Sequence, residues 1–423
     1  MKTGSALSRV LLVGTLSAAL AVTGSGLAPQ PATAAPATVN TAAFKSEVPT
    51  IAASSWAGSL VQTPALTTPA APGSQMTVTG TKVSAPTLRS TALTAADPGA
   101  QNTTAIPGPG SGNWGASGQL GAFTWNYPLP TRKAPAGQTP SLSLSYDSSR
   151  VDGLTSATNS QASVVGDGWA LAGAGYIRQT FTSCKDQGVT SSYDLCGNPT
   201  GQSLSISFGG RNTQLVKDSG SGAWKLQSDD NTRIEYVKTP GINGTFDGGY
   251  WKLTDNAGTQ YFFGRNQLPG WVAGKPTTNS VSRVPVGAAK PDQPCAAATF
   301  KDSLCQQAWM WNLDHILDLN GNTQAFYYDQ ETNWYASAAG TGPRLDYTRA
   351  ARLSRIDYGM RTGAELAGNA PLRLSLDYAD RCNGIDCSKG NDIPAQYVCP
   401  QSGTCNTLSP TFFTSQRLTK VTA

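Results

Sequence analysis

Histidine is nearly missing from this chain: His315 is the only one in 423 residues. Catalytic and metal motifs that need two histidines are therefore excluded, and His315 could serve only as a lone general base. It lies in Trp311-Asn312-Leu313-Asp314-His315-Ile316-Leu317-Asp318, an alternating run that reads as a strand, where a polar partner inside or beside the strand is the simpler role. No Gly-x-Ser-x-Gly elbow occurs to supply a nucleophile. Charge is scarce as well, at 13% of residues and a thinly spread net +5, which supports no steering field for nucleic acid. Gly166-Asp167-Gly168-Trp169 and Gly173-Ala174-Gly175 lack both the lysine of a P-loop and the spacing of a dinucleotide turn. Every apolar run stops short of the roughly 20 residues that span a bilayer.

What is present begins with an export signal. Lys2 and Arg9 precede an uncharged stretch from Val10 to Val22, and Ala32-Thr33-Ala34 follows as a cleavage site, so residues 1–34 read as a secretory signal peptide. An uncleaved N-terminal anchor is the alternative. Residues 35–112 are rich in Ala, Thr, Pro, Ser and Gly with few aromatics. Such a segment cannot bury enough surface to offset the entropy of ordering it, and reads as a disordered, semi-extended tether.

From Asn113 the composition changes: nine of the ten tryptophans and all eight cysteines lie in residues 113–423. A phrase recurs there three times, a tryptophan two residues before a leucine, a polar turn, then a run ending in aromatics. It reads Trp224-Lys225-Leu226 to Tyr236, Trp251-Lys252-Leu253 to Tyr261-Phe262-Phe263, and Trp311-Asn312-Leu313 to Phe326-Tyr327-Tyr328-Asp329. Each copy is written as a β-hairpin. Hairpins that cannot bury an apolar face alone must stack on neighbours, so the expected fold is all-β, with stacked antiparallel hairpins forming part of a β-shell, propeller or solenoid wall. Leu204-Ser205-Ile206-Ser207-Phe208 and Leu372 to Tyr378 alternate as half-buried strands. Gly209-Gly210 and Asn320-Gly321 mark turns, the latter being the dipeptide that best accommodates a type I′ hairpin. No convincing helical periodicity runs longer than a few turns, the best candidate being Ala296 to Trp311.

The cysteines fall as neighbouring pairs: Cys184 with Cys196, Cys295 with Cys305, Cys382 with Cys387, and Cys399 with Cys405. An even count in an exported chain favours disulfides, and local pairing is expected, although Cys382 with Cys405 and Cys387 with Cys399 could nest instead. Zinc is disfavoured by the lack of a nearby histidine. Asp314, Asp318, Asp329 and Glu331 crowd one region and could pair as acid and base, yet Asp is also the ordinary turn residue. Asp318-Leu319-Asn320-Gly321-Asn322 resembles the start of a calcium loop, with Thr323 where an EF-hand needs glycine. No catalytic residue, cofactor or metal is expected.

Asn320-Gly321-Asn322-Thr323 followed by Phe326-Tyr327-Tyr328-Asp329, with Arg352-Leu353 and Arg417-Leu418 later, resembles the YD repeat of RHS proteins, whose pattern is a glycine turn, Tyr-Asp, then Arg-Leu. The segments Gly121 to Pro130, Pro140 to Asp147 and Val165 to Leu171 resemble the opening of secreted actinobacterial RHS-repeat proteins of the polymorphic-toxin type, and are similar to the start of toxin-complex B-type subunits. The resemblance covers most of Asn113 to Ala423. It implies a β-shell that encapsulates and exports a C-terminal toxin, with Trp224, Trp251, Trp311, Gly321, Tyr328, Asp329, Arg352 and Leu353 as the repeat signature.

Two departures stand out. Arg352-Leu353 follows Tyr328-Asp329 only after a long interval, and the chain stops at Ala423 inside what reads as a strand, so the shell and toxin region expected downstream would lie on further or separate chain. The functional expectation is a structural delivery scaffold, exported and extracellular or wall-associated. Its partners would be that downstream region and, on a second reading, cell-wall glycan stacked on aromatics, with neither nucleic acid nor membrane after signal cleavage. A surface carbohydrate-binding protein and a secreted carboxylate-dependent hydrolase are the alternatives.

Overall fold

The computed structural model describes residues 112–117, 121–152, 161–199, 201–382 and 392–423. The signal peptide and all but the last residue of the expected tether lie outside the described residues, as does Cys387.

A four-stranded antiparallel sheet comes first, formed in order by β1 (Asn113–Ser117), β2 (Ala122–Pro128), β3 (Ser143–Asp147) and β4 (Trp169–Ala172). The next strands are β5 (Tyr176–Thr180), the short β6 (Thr182–Ser183) and β7 (Leu195–Cys196), then β8 (Ser203–Phe208) and β9 (Arg211–Lys217). They are followed by β10 (Trp224–Leu226), β11 (Arg233–Lys238), β12 (Gly249–Thr254), β13 (Gln260–Phe263), β14 (Val281–Gly287) and β15 (Cys305–Leu317). Eight of these close a ring: β5 pairs with β8, pairing continues in order through β9 to β13, β13 pairs with β15, and β15 returns to β5. The result is a closed antiparallel barrel, which leaves no free edge around its circumference.

Local chemistry explains the strands. In β8, Leu204 and Ile206 are buried while Ser203 and Ser205 are exposed, and β12 alternates in the same way. Gly209 and Gly210 both have positive φ, at 60° and 76°, and join Phe208 to its partner Arg211 in a two-residue hairpin. Each copy of the tryptophan phrase is a hairpin, namely β10–β11, β12–β13 and the pair of β15 with β16 (Asn322–Ala336).

Beyond the barrel the sheet continues as a meander. β16 pairs with β17 (Arg344–Arg361) from Asn322↔Arg361 to Ala336↔Arg344, with β-bulges at three points. β17 then pairs with β18 (Leu372–Asp380), and β18 with β19 (Gln416–Thr422). A second core of Val284, Val286, Trp309, Tyr335 and Tyr347 fills the space between the long hairpin and β14.

Two expectations need correction. The segment Ala296 to Trp311 is not a helix: it holds a single 3-10 turn at Phe300–Asp302 and the start of β15. β15 serves the barrel core with one face and the second core with the other, so its side chains are buried almost continuously and the period-2 alternation is erased. The Asn320-Gly321 turn is not type I′ either, because only Gly321 has positive φ, at 76°. Its amide donates to Asp318 O, and the Asp318 carboxylate accepts from the amides of Asn320 and Asn322, which makes an Asx-type turn closed by a left-handed glycine.

Candidate functional site

The repeat-signature tryptophans form the centre of the barrel. Trp251 and Trp311 are 1% and 2% exposed, with rings edge-on at 6.0 Å, and Trp224 lies 5.2 Å from Trp251 in the same geometry. Trp311 Nε1 donates to Gly249 O at 2.9 Å. Gly264, at φ +73°, lies against this ring so closely that a Cβ would come within 2.2 Å of it. Trp251 and Trp311 are core, and Trp224 is partly buried and packed against it.

The other signature residues sit on the long hairpin. Register pairs Tyr328 with Leu353 and Asp329 with Arg352. Tyr328 is buried with its hydroxyl donating to Leu313 O at 2.7 Å, and Leu353 is buried in the main core. Gly321 closes the turn that starts the hairpin.

The crowded acids do not converge. Asp314 is fully buried, and its Oδ2 accepts from the Asn266 amide at 2.7 Å and the Ser280 hydroxyl at 2.8 Å. Burial pushes its carboxyl above the usual range. Asp318 is taken up by its own turn. Asp329 is half exposed and faces Arg352 at 3.6 Å. Glu331 is held by Arg349 at 2.9 Å and Arg352 at 3.4 Å, and accepts from Thr414 Oγ1 and from both the amide and the hydroxyl of Ser415. Burial alone would raise the Glu331 carboxyl, but these hydrogen bonds and the Arg349 charge outweigh it and hold the group below its usual value. Each acid thus has its own structural partners.

His315 is also internal. Its Nε2 lies 3.2 Å from Glu365 Oε1 and both side chains are buried, while Glu365 Oε2 accepts from the Gly363 amide. The contact ties the loop after β17 to the barrel strand β15. His315 Nδ1 has no partner among the described residues. Nothing in the sequence pattern linked Glu365 to His315, since the two are joined only by tertiary packing.

Disulfides join Cys184 to Cys196, Cys295 to Cys305 and Cys399 to Cys405, as local pairing required. The Cys399–Cys405 bond excludes the nested arrangement, and Cys382 is disulfide-bonded as well.

The concave surfaces lie elsewhere. A cavity of 870 Å³ separates the four-stranded sheet from one end of the barrel, and a smaller one of 170 Å³ enters the barrel mouth. The two share Phe208, Gly209, Arg211 and Tyr261. A third, of 560 Å³, runs beside β19 and is lined by Leu129, Leu144, Leu418 and Val421, with Arg132 and Lys420 at its rim. Sequence reasoning missed all three, because it placed residues on strand faces but not opposite one another.

No family model and no curated protein matches the chain. Among solved structures it is similar to TcdB2-TccC3-TEV, at 17% identity and a TM-score of 0.35 over 66% of this chain and 12% of that one. It is similar to a chain of the Photorhabdus luminescens Tc holotoxin pore, at 16% identity and a TM-score of 0.34, covering 64% of this chain and 11% of that one. The N-terminal domain of effector protein SpvB from Salmonella typhimurium strain LT2 matches at 16% identity and a TM-score of 0.34, over 66% of this chain and 77% of that domain. The chain therefore spans about an eighth of the length of the Tc chains it overlaps.

Proposed function

We propose that this chain is an exported structural element of a toxin-delivery scaffold, extracellular or wall-associated, with no catalysis of its own. The observation that carries the reading is the meander from β15 to β19. It adds one antiparallel strand at a time and ends on β19, whose far edge is met at Leu418, where the amide donates to Val164 O at 2.7 Å, and is paired by no strand among the described residues. An unpaired edge is a template for further strand, and the apolar groove beside it supplies walls for alternating side chains.

Supporting this, His315 and the crowded acids are engaged in structural bonds, and none of them lines the two large cavities. The resemblance of the signature residues to RHS repeats points the same way, with the downstream shell and toxin region as partner.

The test is intact mass and C-terminal peptide mapping of the exported product from its native host, with tightly bound partners retained. A product or complex carrying further β-rich chain and a toxic domain is the expected outcome. A product with neither, which turns over a glycan substrate, overturns the reading.

A further inference from the structure

We propose that the barrel mouth and the adjoining cleft form one oligosaccharide-binding site, centred on Phe208 and Tyr261. The proposal goes beyond the scaffold reading and does not depend on it. The two cavities meet at these rings, which stand edge-on at 4.8 Å, with Phe208 braced against Phe263 at 5.4 Å. The π face of such a ring, the negative end of its quadrupole, receives the C–H face of a pyranose.

The polar groups around the rings are of mixed sign and mixed hydrogen-bonding character. In the mouth, Asp230 and Asp255 stand over an apolar floor. Asp255 is fixed by the amides of Ala257 and Thr259 and by the Tyr261 hydroxyl, each at 2.9 Å, and Arg211 pairs with Asp230. In the cleft the deciding group is Gln324. It lines the cleft and is 5% exposed, its Nε2 donates to Gln138 O at 2.7 Å, and its Oε1 is buried with no partner among the described residues. Across from it the four-stranded sheet turns its polar, small-residue face inward, with Asn126, Ser143 and Ser145 lining the wall. A buried acceptor without a donor is costly, and a hydroxyl-bearing ligand would satisfy it.

Other ligand classes fit less well. A purely apolar molecule would leave Gln324 Oε1 and the serine wall unpaired. Nucleic acid would meet Asp230 and Asp255, whose charges repel phosphate. An added peptide strand needs a free sheet edge: β8 and β13 at the barrel mouth are paired on both sides, whereas β4 in the cleft has an outer edge that no strand pairs among the described residues, away from the barrel-mouth half of the site. A sugar chain has both faces, one apolar and one of hydroxyls that donate and accept. The larger cavity falls within the volume of ordinary ligand sites, about 300–1,000 Å³.

The experiment is isothermal titration of the full exported chain with cellohexaose, xylohexaose, chitohexaose and soluble glycan strands from peptidoglycan, repeated on Gln324→Met and Tyr261→Phe. Saturable binding of at least one of these, weakened about tenfold or more by either substitution at unchanged circular dichroism, is expected. No saturable binding to any of them overturns the proposal. Binding that both folded variants retain in full overturns it too, by placing the glycan elsewhere, for instance on the exposed Trp114. Because the readout uses this chain alone, failure here leaves the scaffold reading standing.

Discussion

Asp329 and Arg352 face each other directly across β16 and β17, with Oδ2 and Nη2 3.6 Å apart, although 22 residues separate them in the chain. Tyr328-Asp329 and Arg352-Leu353 are distant in sequence, and the long hairpin brings them into register. Arg352 also contacts Glu331 and lies over the Tyr378 ring at 5.2 Å, so one guanidinium ties three strands together.

Arg352→Ala should therefore destabilise the chain by about 2 kcal/mol, since it leaves the buried Glu331 with Arg349 as its remaining cation. Asp329→Asn, at the half-exposed end of the same pair, should cost less than about 1 kcal/mol. Chemical denaturation of both variants checks the asymmetry, and equal costs would contradict it.

Glu331 predicts an acid limb in stability. Its folded carboxyl titrates below its usual value, so its contribution is present above the unfolded pKa and is lost as pH falls through the folded one. The melting temperature should drop as pH is lowered below about 4.5, the ordinary glutamate range. Glu331→Gln should be less stable at neutral pH and should show a shallower acid limb.

Tryptophans should divide by position. Trp311→Ala should cost about 3–5 kcal/mol or abolish folding, because it empties the centre of the barrel. Trp114→Ala, at a residue 73% exposed, should change stability by about 0.5 kcal/mol or less. Similar losses at both sites would mean that Trp311 is not in the core.

Glu365→Ala removes the one partner that the His315 ring nitrogens have among the described residues and frees the loop after β17. A loss of about 1–3 kcal/mol is expected, with faster amide exchange at residues 363–370 while the barrel strands stay protected. Unchanged exchange in that loop would show that the contact does not hold it.

Reduction of the disulfides should loosen loops before the barrel. The three described bridges close sequence separations of 12, 10 and 6, each about 2–3 kcal/mol by loop entropy, and none joins two of the eight barrel strands. Hydrogen exchange after reduction should show early opening around Cys184, Cys295 and Cys399, with Trp251 and its neighbours in β12 still protected.

Local features were legible in the amino-acid order alone. Period-2 alternation set the strands, glycine and Asx chemistry set the turns, short cysteine spacings set the three described bridges, and a single histidine removed whole classes of catalysis. These depend on residues a few positions apart, where backbone geometry leaves few choices. It took the folded chain to show that β15 closes a barrel between β5 and β13, that Arg352 meets Asp329, that Glu365 reaches His315, and that Gln324 lines a cleft. Alternation fixes which face of a strand is buried but not which strand lies beside it. That choice follows from sheet twist and the shape of the whole core, which no local stretch of sequence contains.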